Sequence, residues 1–225
     1  MNQYIDEQSF KSHKSKVKRV RFLRQLLRRT PFYPTYKRLG HYPDFLYWKL
    51  RGQPPRPPHL VKQRLIKQYA REYGLGVLVE TGTYYGEMID AAKTNFKEIF
   101  SIEFDPKLAA AARKRFAGLP HVHVLEGSSE QLVPEVLRQL TQPALFWLDA
   151  GYCAWNGNFA DSSRLLNEIR AILSHTIKAH VILIDDVVPF SGIDGTPDVR
   201  ELSGYITQQF AERSISVDTG ILVIS

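Results

Sequence analysis

A single cysteine, Cys153, is what this 225-residue chain has least of. One thiol excludes an internal disulfide framework and any zinc cage built on cysteines. No apolar run approaches the ~20 residues needed to cross a bilayer. The N-terminus lacks the uninterrupted apolar core of a secretory signal, which points to a protein retained in the cytoplasm. The seven histidines are scattered. His121 and His123 would face one side of a strand, but no third ligand stands near them, which argues against a metal role. Internal repeats are also absent. The apolar share of 44% and the charged share of 24% are those of a globular chain. Its length allows one domain plus an extension.

Acidic charge is scarce only at one end. Residues 1–51 hold thirteen Lys and Arg against three acids, a net of +10, whereas the remainder hold seventeen against twenty, a net of −3. The basicity therefore belongs to the N-terminal segment. Within it, "KSKVKRVRFLRQLLRR" places Val17, Val20, Leu23 and Leu27 on one helical face, with Lys16, Arg19, Arg21, Arg24 and Arg28 over much of the rest. Thr30-Pro31 marks the end of that helix, because the residue before a proline is pushed out of helical geometry. Such a helix suits packing on the domain or on a second copy of the chain, which would make a homo-oligomer. An anionic membrane surface or an RNA backbone are the other surfaces it suits. The aromatic-rich stretch up to residue 52 is too apolar for a free tail, and "QPPRPPH", residues 53–59, reads as a stiff proline-rich linker. The expected organisation is thus an extension over 1–52, a linker over 53–59 and a folded body over 60–225.

In the body the hydrophobic period switches regularly. "HLVKQRLIKQYAREYG" reads as a helix stopped at Gly74, "GVLVE" as a buried strand, and "YYGEMIDAAKTNF" as a helix. "EIFSIE" follows as a second strand, and Asp105-Pro106 opens a helix with proline in its first turn. "HVHVLEG", "ALFWLD" and "HVILIDD" are the third, fourth and fifth strands, each followed by a helical stretch, and "SISVDTGILVIS" ends the chain as two strands around a turn. Strands alternating with helices imply an α/β fold: a Rossmann-like, mostly parallel seven-stranded sheet with helices on both faces. The connection between the last two strands is too short for a parallel crossover, so they pair antiparallel.

Ligands of an open parallel sheet bind beyond the carboxyl ends of its strands. Here those ends carry Glu80, Glu103, Gly127-Ser128-Ser129, Asp149 and Asp185-Asp186, nearly all acids. A sheet gains no stability from gathering carboxylates along one edge, so a ligand is the better explanation. The loop "ETGTYYG" after the first strand is not the G-x-G-x-x-G that cradles a pyrophosphate. Its acid repels phosphate and suits a cation, and Gly82 and Gly86 let backbone pass close to a ligand. Glu103, at the end of the second strand, is where an acid would take two ribose hydroxyls. Ribose, no phosphate and a cationic amino-acid end describe S-adenosylmethionine (SAM).

"VETGTYYGEM", "FSIEFD" and "VLEGSSEQLVP", in this order and each at a strand end, resemble motifs of the class I SAM-dependent methyltransferases. The resemblance covers residues from about 60 to 225. It implies that Glu80, Gly82, Thr83, Tyr84, Gly86, Glu103, Ser128, Ser129 and Asp149 bind the cofactor. "LFWLDAGY" followed by "HVILIDDV" is similar to the metal-dependent O-methyltransferases that act on catechols and, in the macrocin branch, on sugar hydroxyls. Three oxygen donors, Asp149, Asp185 and Asp186, suit Mg²⁺ or another hard divalent cation. A vicinal diol on a small molecule or saccharide is the implied acceptor. Similar proteins carry a histidine two positions after the fourth-strand Asp, where this chain has Gly151. Tyr152 then stands beside Asp149 as the catalytic candidate, although its ~10 pKa suits a base poorly. Two other readings are an RNA methyltransferase, prompted by the basic arm, and a weakly catalytic SAM-binding scaffold, prompted by Gly151. The net acidic body and the lack of an N-P-P-Y-type motif speak against nucleic acid. Acceptor specificity is expected in the loops "AGYCAWNGNF" and "VPFSGIDGT".

Overall fold

The computed structural model describes residues 42–54, 57–149, 162–186 and 199–225. The expected basic helix, Gly151, Tyr152 and both loops expected to set specificity lie outside the described residues. The chain divides into two units, Met1–Tyr47 and Trp48–Ser225. In the first, the rings of Tyr42 and Phe45 meet edge to face. The second holds the sheet.

In chain order the described elements are α1 (Tyr42–Leu50), α2 (His59–Glu72), β1 (Val77–Thr81), α3 (Glu87–Ala92), β2 (Glu98–Glu103), α4 (Pro106–Phe116), β3 (Val122–Glu126) and α5 (Ser129–Gln139). They continue with β4 (Ala144–Asp149), α6 (Ser162–Leu173), β5 (Val181–Asp185), α7 (Val199–Gln209), β6 (Ile215–Asp218) and β7 (Ile221–Ile224). The strands form one sheet in the order β3-β2-β1-β4-β5-β7-β6. Pairing is parallel from β3 through β5, and β7 runs antiparallel to both β5 and β6. The direction of strand succession therefore reverses between β1 and β4, the point at which open α/β sheets bind ligands beyond their carboxyl ends. Among the described residues no helix is long and apolar enough to cross a membrane.

Each strand's sequence accounts for its place. β1 and β5 are buried along their whole length, as strands covered on both faces must be. On one face Val79, Phe146, Ile182 and Leu222 pack with Val136 of α5, Ile169 of α6 and Ile206 of α7. The alternate residues Leu78, Ile99 and Leu145, also fully buried, belong to the other face. Each such side chain contributes about 1.5–3 kcal/mol by leaving water. Thr219 and Gly220, both at positive φ, make the two-residue turn that folds β7 back onto β6.

Element ends follow local chemistry. α2 closes on Gly74, whose φ of +65° lets the Leu75 N–H reach the Ala70 carbonyl at 2.8 Å. Asp105 caps α4 by accepting from the Lys107 and Leu108 N–H groups at 2.7 and 3.0 Å. The helix expected from Tyr84 starts only at Glu87, because Tyr84 and Gly86 both take positive φ and spend those residues in a turn. It also ends at Ala92, four residues earlier than its apolar pattern suggests.

Candidate active site at the carboxyl edge of the sheet

β1 and β2 bring the first cluster together. Glu80 lies beside Ser101 in the parallel register, and the Ser101 hydroxyl donates to Glu80 Oε1 at 2.5 Å. Thr83 Oγ1 lies 2.5 Å from the same hydroxyl, so a buried chain links the first loop to the strand beside it. Glu80 is almost wholly buried, and burial pushes its carboxyl up to about 8. The nearby Asp149 and Glu103 add to that rise, and the Ser101 hydrogen bond opposes it. Near neutral pH Glu80 is therefore largely protonated until a cation approaches.

Glu103 caps the turn instead. One carboxylate oxygen accepts the Tyr84 N–H at 2.7 Å, and the other accepts the Asp105 N–H at 2.9 Å. The Glu103 carbonyl takes the Gly127 N–H at 2.9 Å, which brings Ser128 and Ser129 next to this strand end. Ser129 donates to Glu168 of α6 at 2.5 Å. Burial pushes the Glu168 carboxyl up to about 7.

The two loop glycines answer to different demands. Gly82 has φ +86°, and a methyl group there would stand 3.5 Å from Asp149 Cβ, an ordinary contact. Its need is conformational, and it brings the loop against Asp149. A methyl group on Gly86 would meet the Phe116 ring at 2.5 Å. Gly86 is thus required by packing of the loop on α4 as well as by its φ of +69°. Tyr84 and Tyr85, ring centroids 4.1 Å apart, stand partly exposed on the same loop.

The second cluster lies on β4 and β5. Asp149 and Asp185 are register partners, and Asp186 follows at φ +60°. The Asp149 N–H donates to Thr81 Oγ1 at 3.2 Å, which ties β4 to the end of β1. One carboxylate oxygen each from Asp149, Asp185 and Asp186 lie within 4.8 Å of one another. Three hard oxygens so close are a donor set that fits a divalent cation with water filling its remaining positions. Lys62, from the first turn of α2, hydrogen-bonds to Asp185 Oδ2 and lies 3.9 Å from Asp186 Oδ1. Burial, Asp186 and Asp149 push the Asp185 carboxyl up to about 7 against the pull of Lys62.

Glu80, Gly82, Thr83, Tyr84, Glu103 and Asp149 thus gather at neighbouring strand ends, and Ser128 and Ser129 adjoin Glu103. Gly86 faces Phe116 within the same loop. Ser101, Lys62 and Glu168 also meet these residues, by hydrogen bonds to Glu80, Asp185 and Ser129, and are not among the strand-end candidates. Ser101 left a visible signal, a polar residue inside the apolar run "EIFSIE". Lys62 and Glu168 left none, since each is one charged residue on an amphipathic helix. His121, just before β3, and His123, within it, have partners of their own, the Lys93 carbonyl and Glu98.

No protein-family model matches the sequence, and no curated protein does. Solved structures do. The O-methyltransferase from Bacillus cereus, in complex with SAH, matches with a TM-score of 0.55 at 16% identity, over 78% of this chain and 86% of that one. TomG, an O-methyltransferase of Streptomyces achromogenes involved in tomaymycin synthesis and solved with SAM, matches with a TM-score of 0.53 at 17% identity, over 72% and 78%. SAH-bound PaMTH1, a methyltransferase of Podospora anserina, matches with a TM-score of 0.50 at 16% identity, over 100% and 97%. The chain has the Rossmann-like fold of the SAM-dependent methyltransferases.

Proposed function

We propose that this protein is a SAM-dependent methyltransferase that methylates a hydroxyl of a small molecule or saccharide, with a vicinal diol as the acceptor and Mg²⁺ or another divalent cation assisting. One observation carries the reading. Glu80, Glu103, Asp149, Asp185 and Asp186 stand at the carboxyl ends of four consecutive strands, β2-β1-β4-β5, across the crevice where the topology reverses. That edge repels phosphates and attracts a cationic cofactor with hydroxyls to bind.

The residues divide the work by position. Glu103, at the end of β2, holds the ribose hydroxyls. Glu80 supplies negative charge for the cofactor's amino-acid end, together with the loop Gly82-Thr83-Tyr84-Tyr85-Gly86. Ser128 and Ser129 line the adenine. SAM supplies a methyl group on a sulfonium, which an oxygen nucleophile takes in line. Asp149 stands between the two clusters, beside Gly82 and beside Asp185, so it faces both donor and acceptor. Asp149, Asp185 and Asp186 would hold the divalent cation, which eases loss of the acceptor's proton. Tyr152, three positions after β4 in the sequence, is the second catalytic candidate. Fixing donor and acceptor in one crevice supplies a further large part of the acceleration.

The test is transfer of a radiolabelled methyl group from SAM to a panel of diol-bearing small molecules and sugars. The expected result is labelled product that EDTA abolishes and Mg²⁺ restores. Transfer undiminished by EDTA would contradict the role given to the cation, and transfer only to RNA would contradict the acceptor class.

A further inference from the structure

The acid cluster already holds a cation that belongs to the chain. Lys62 Nζ hydrogen-bonds to Asp185 Oδ2 and stands 3.9 Å from Asp186 Oδ1. Both partners are withdrawn from water, with side-chain exposures of 17% for Lys62 and 6% for Asp185. The lysine is delivered by an anchored element. The Pro58 carbonyl accepts the Val61 and Lys62 N–H groups at 2.8 and 3.3 Å in the first turn of α2. Gln63 reaches the Glu87 carbonyl of α3 at 3.4 Å. Val61, Leu65 and Ile66 are buried on the same helix. The stem is fixed at its root, while four rotatable methylenes leave the ammonium free to withdraw.

A divalent ion bound to Asp149, Asp185 and Asp186 would sit about 2.1–2.6 Å from their oxygens. An ammonium hydrogen-bonded to that same Asp185 carboxylate would then lie a few ångströms from a doubly charged ion, where repulsion is strong at low dielectric. The two cations exclude one another. We infer that Lys62 is a tethered competitor for the divalent cation: its ammonium offsets part of the cluster's negative charge when no metal is bound, and must leave Asp185 before a metal can enter. This rests on the reading that the three aspartates hold a metal, and goes beyond it by assigning a residue that limits metal affinity. The apparent affinity falls by the fraction of molecules in which the lysine is withdrawn. Lys62 thereby favours the metal-free state until a diol acceptor, which adds its own oxygens to the ion, shifts the balance.

The experiment measures Mn²⁺ binding by electron paramagnetic resonance in the wild-type protein, Lys62→Met and Lys62→Arg, with SAM binding measured by calorimetry on the same samples. Methionine keeps the apolar stem and removes the charge, and arginine keeps the charge. The expected result is that Lys62→Met binds Mn²⁺ about tenfold tighter than wild type or better, while Lys62→Arg does not. Adding Asp185→Asn to Lys62→Met should abolish the gain. Equal or weaker Mn²⁺ binding by Lys62→Met, with SAM binding intact, would overturn the competition and leave the metal site standing. No Mn²⁺ binding by any variant, with SAM binding intact, would overturn both the competition and the metal, but not the methyltransferase reading. A rise in melting temperature on adding Mn²⁺, larger for Lys62→Met than for wild type, gives a second readout.

Discussion

Glu80 shows how much one carboxyl can report. Burial and the acids around it hold its proton up to about 8, so the ligand-free protein keeps Glu80 largely neutral at pH 7. A cationic cofactor arriving beside it favours the ionised form. SAM binding at pH 7 should therefore release close to one proton. Calorimetry in buffers of different ionisation heat reads that proton directly, and Glu80→Gln should remove it. A binding heat independent of the buffer would contradict the role given to Glu80. The same group sets a stability trend. Its folded pKa lies above its unfolded value, so the native state holds more protons and its stability falls as pH rises towards 8. Glu168, raised to about 7, acts in the same direction. His180, lowered by burial to about 4, acts the other way, but only below its ordinary value of 6.5. Between pH 6.5 and 8.5 the ligand-free melting temperature should fall, and Glu80→Gln should flatten the slope. At this scale the sequence was legible where a carboxylate ends an apolar run, as at Glu80, Glu103, Asp149 and Asp185. It was silent on partners from elsewhere in the chain: Ser101 meets Glu80 from 21 residues away, and Lys62 meets Asp185 from 123.

Among the elements, the loop between β1 and α3 carries most of the information about the site. Its glycines are visible in the sequence, but their reasons are not. Gly86 packs against Phe116, whose ring is brought there by α4, a separate helix. Gly86→Ala combines a left-handed backbone with a methyl group driven into that ring at 2.5 Å. It should cost about 1–3 kcal/mol of stability, the range for overpacking and for a strained backbone. Chemical denaturation checks this, and the double variant with Phe116→Leu should recover part of the loss if the ring is the obstacle. An unchanged denaturation midpoint would contradict that packing. α3 starts later than its periodicity suggests for a related reason. "YYGEMIDAA" continues smoothly as a helical pattern, and only the positive φ at Tyr84 and Gly86 shows that the turn comes first. The hairpin of β6 and β7 was plain from Thr219-Gly220, because a two-residue turn admits no other pairing.

For the whole molecule, the alternation of strands and helices was enough for the fold class, and five strand ends were enough to suggest the cofactor. The order of the strands was not written locally. β1 pairs with β4 as well as β2, placing Val77 beside both Ala144 and Glu98, and that choice depends on helices covering both faces at once. The reversal between β1 and β4 is what turns separate acids into one crevice. This edge of the sheet is proposed to hold SAM. The most direct measurement is calorimetric titration of the purified protein with SAM, with NAD as the control ligand and Glu103→Ala as the control protein. Micromolar binding of SAM is expected, none of NAD, and at least a tenfold loss in Glu103→Ala, on the order expected for removing charged hydrogen bonds to two hydroxyls. No binding of SAM, with Mg²⁺ or with EDTA, would contradict it and leave the gathered carboxylates to another ligand.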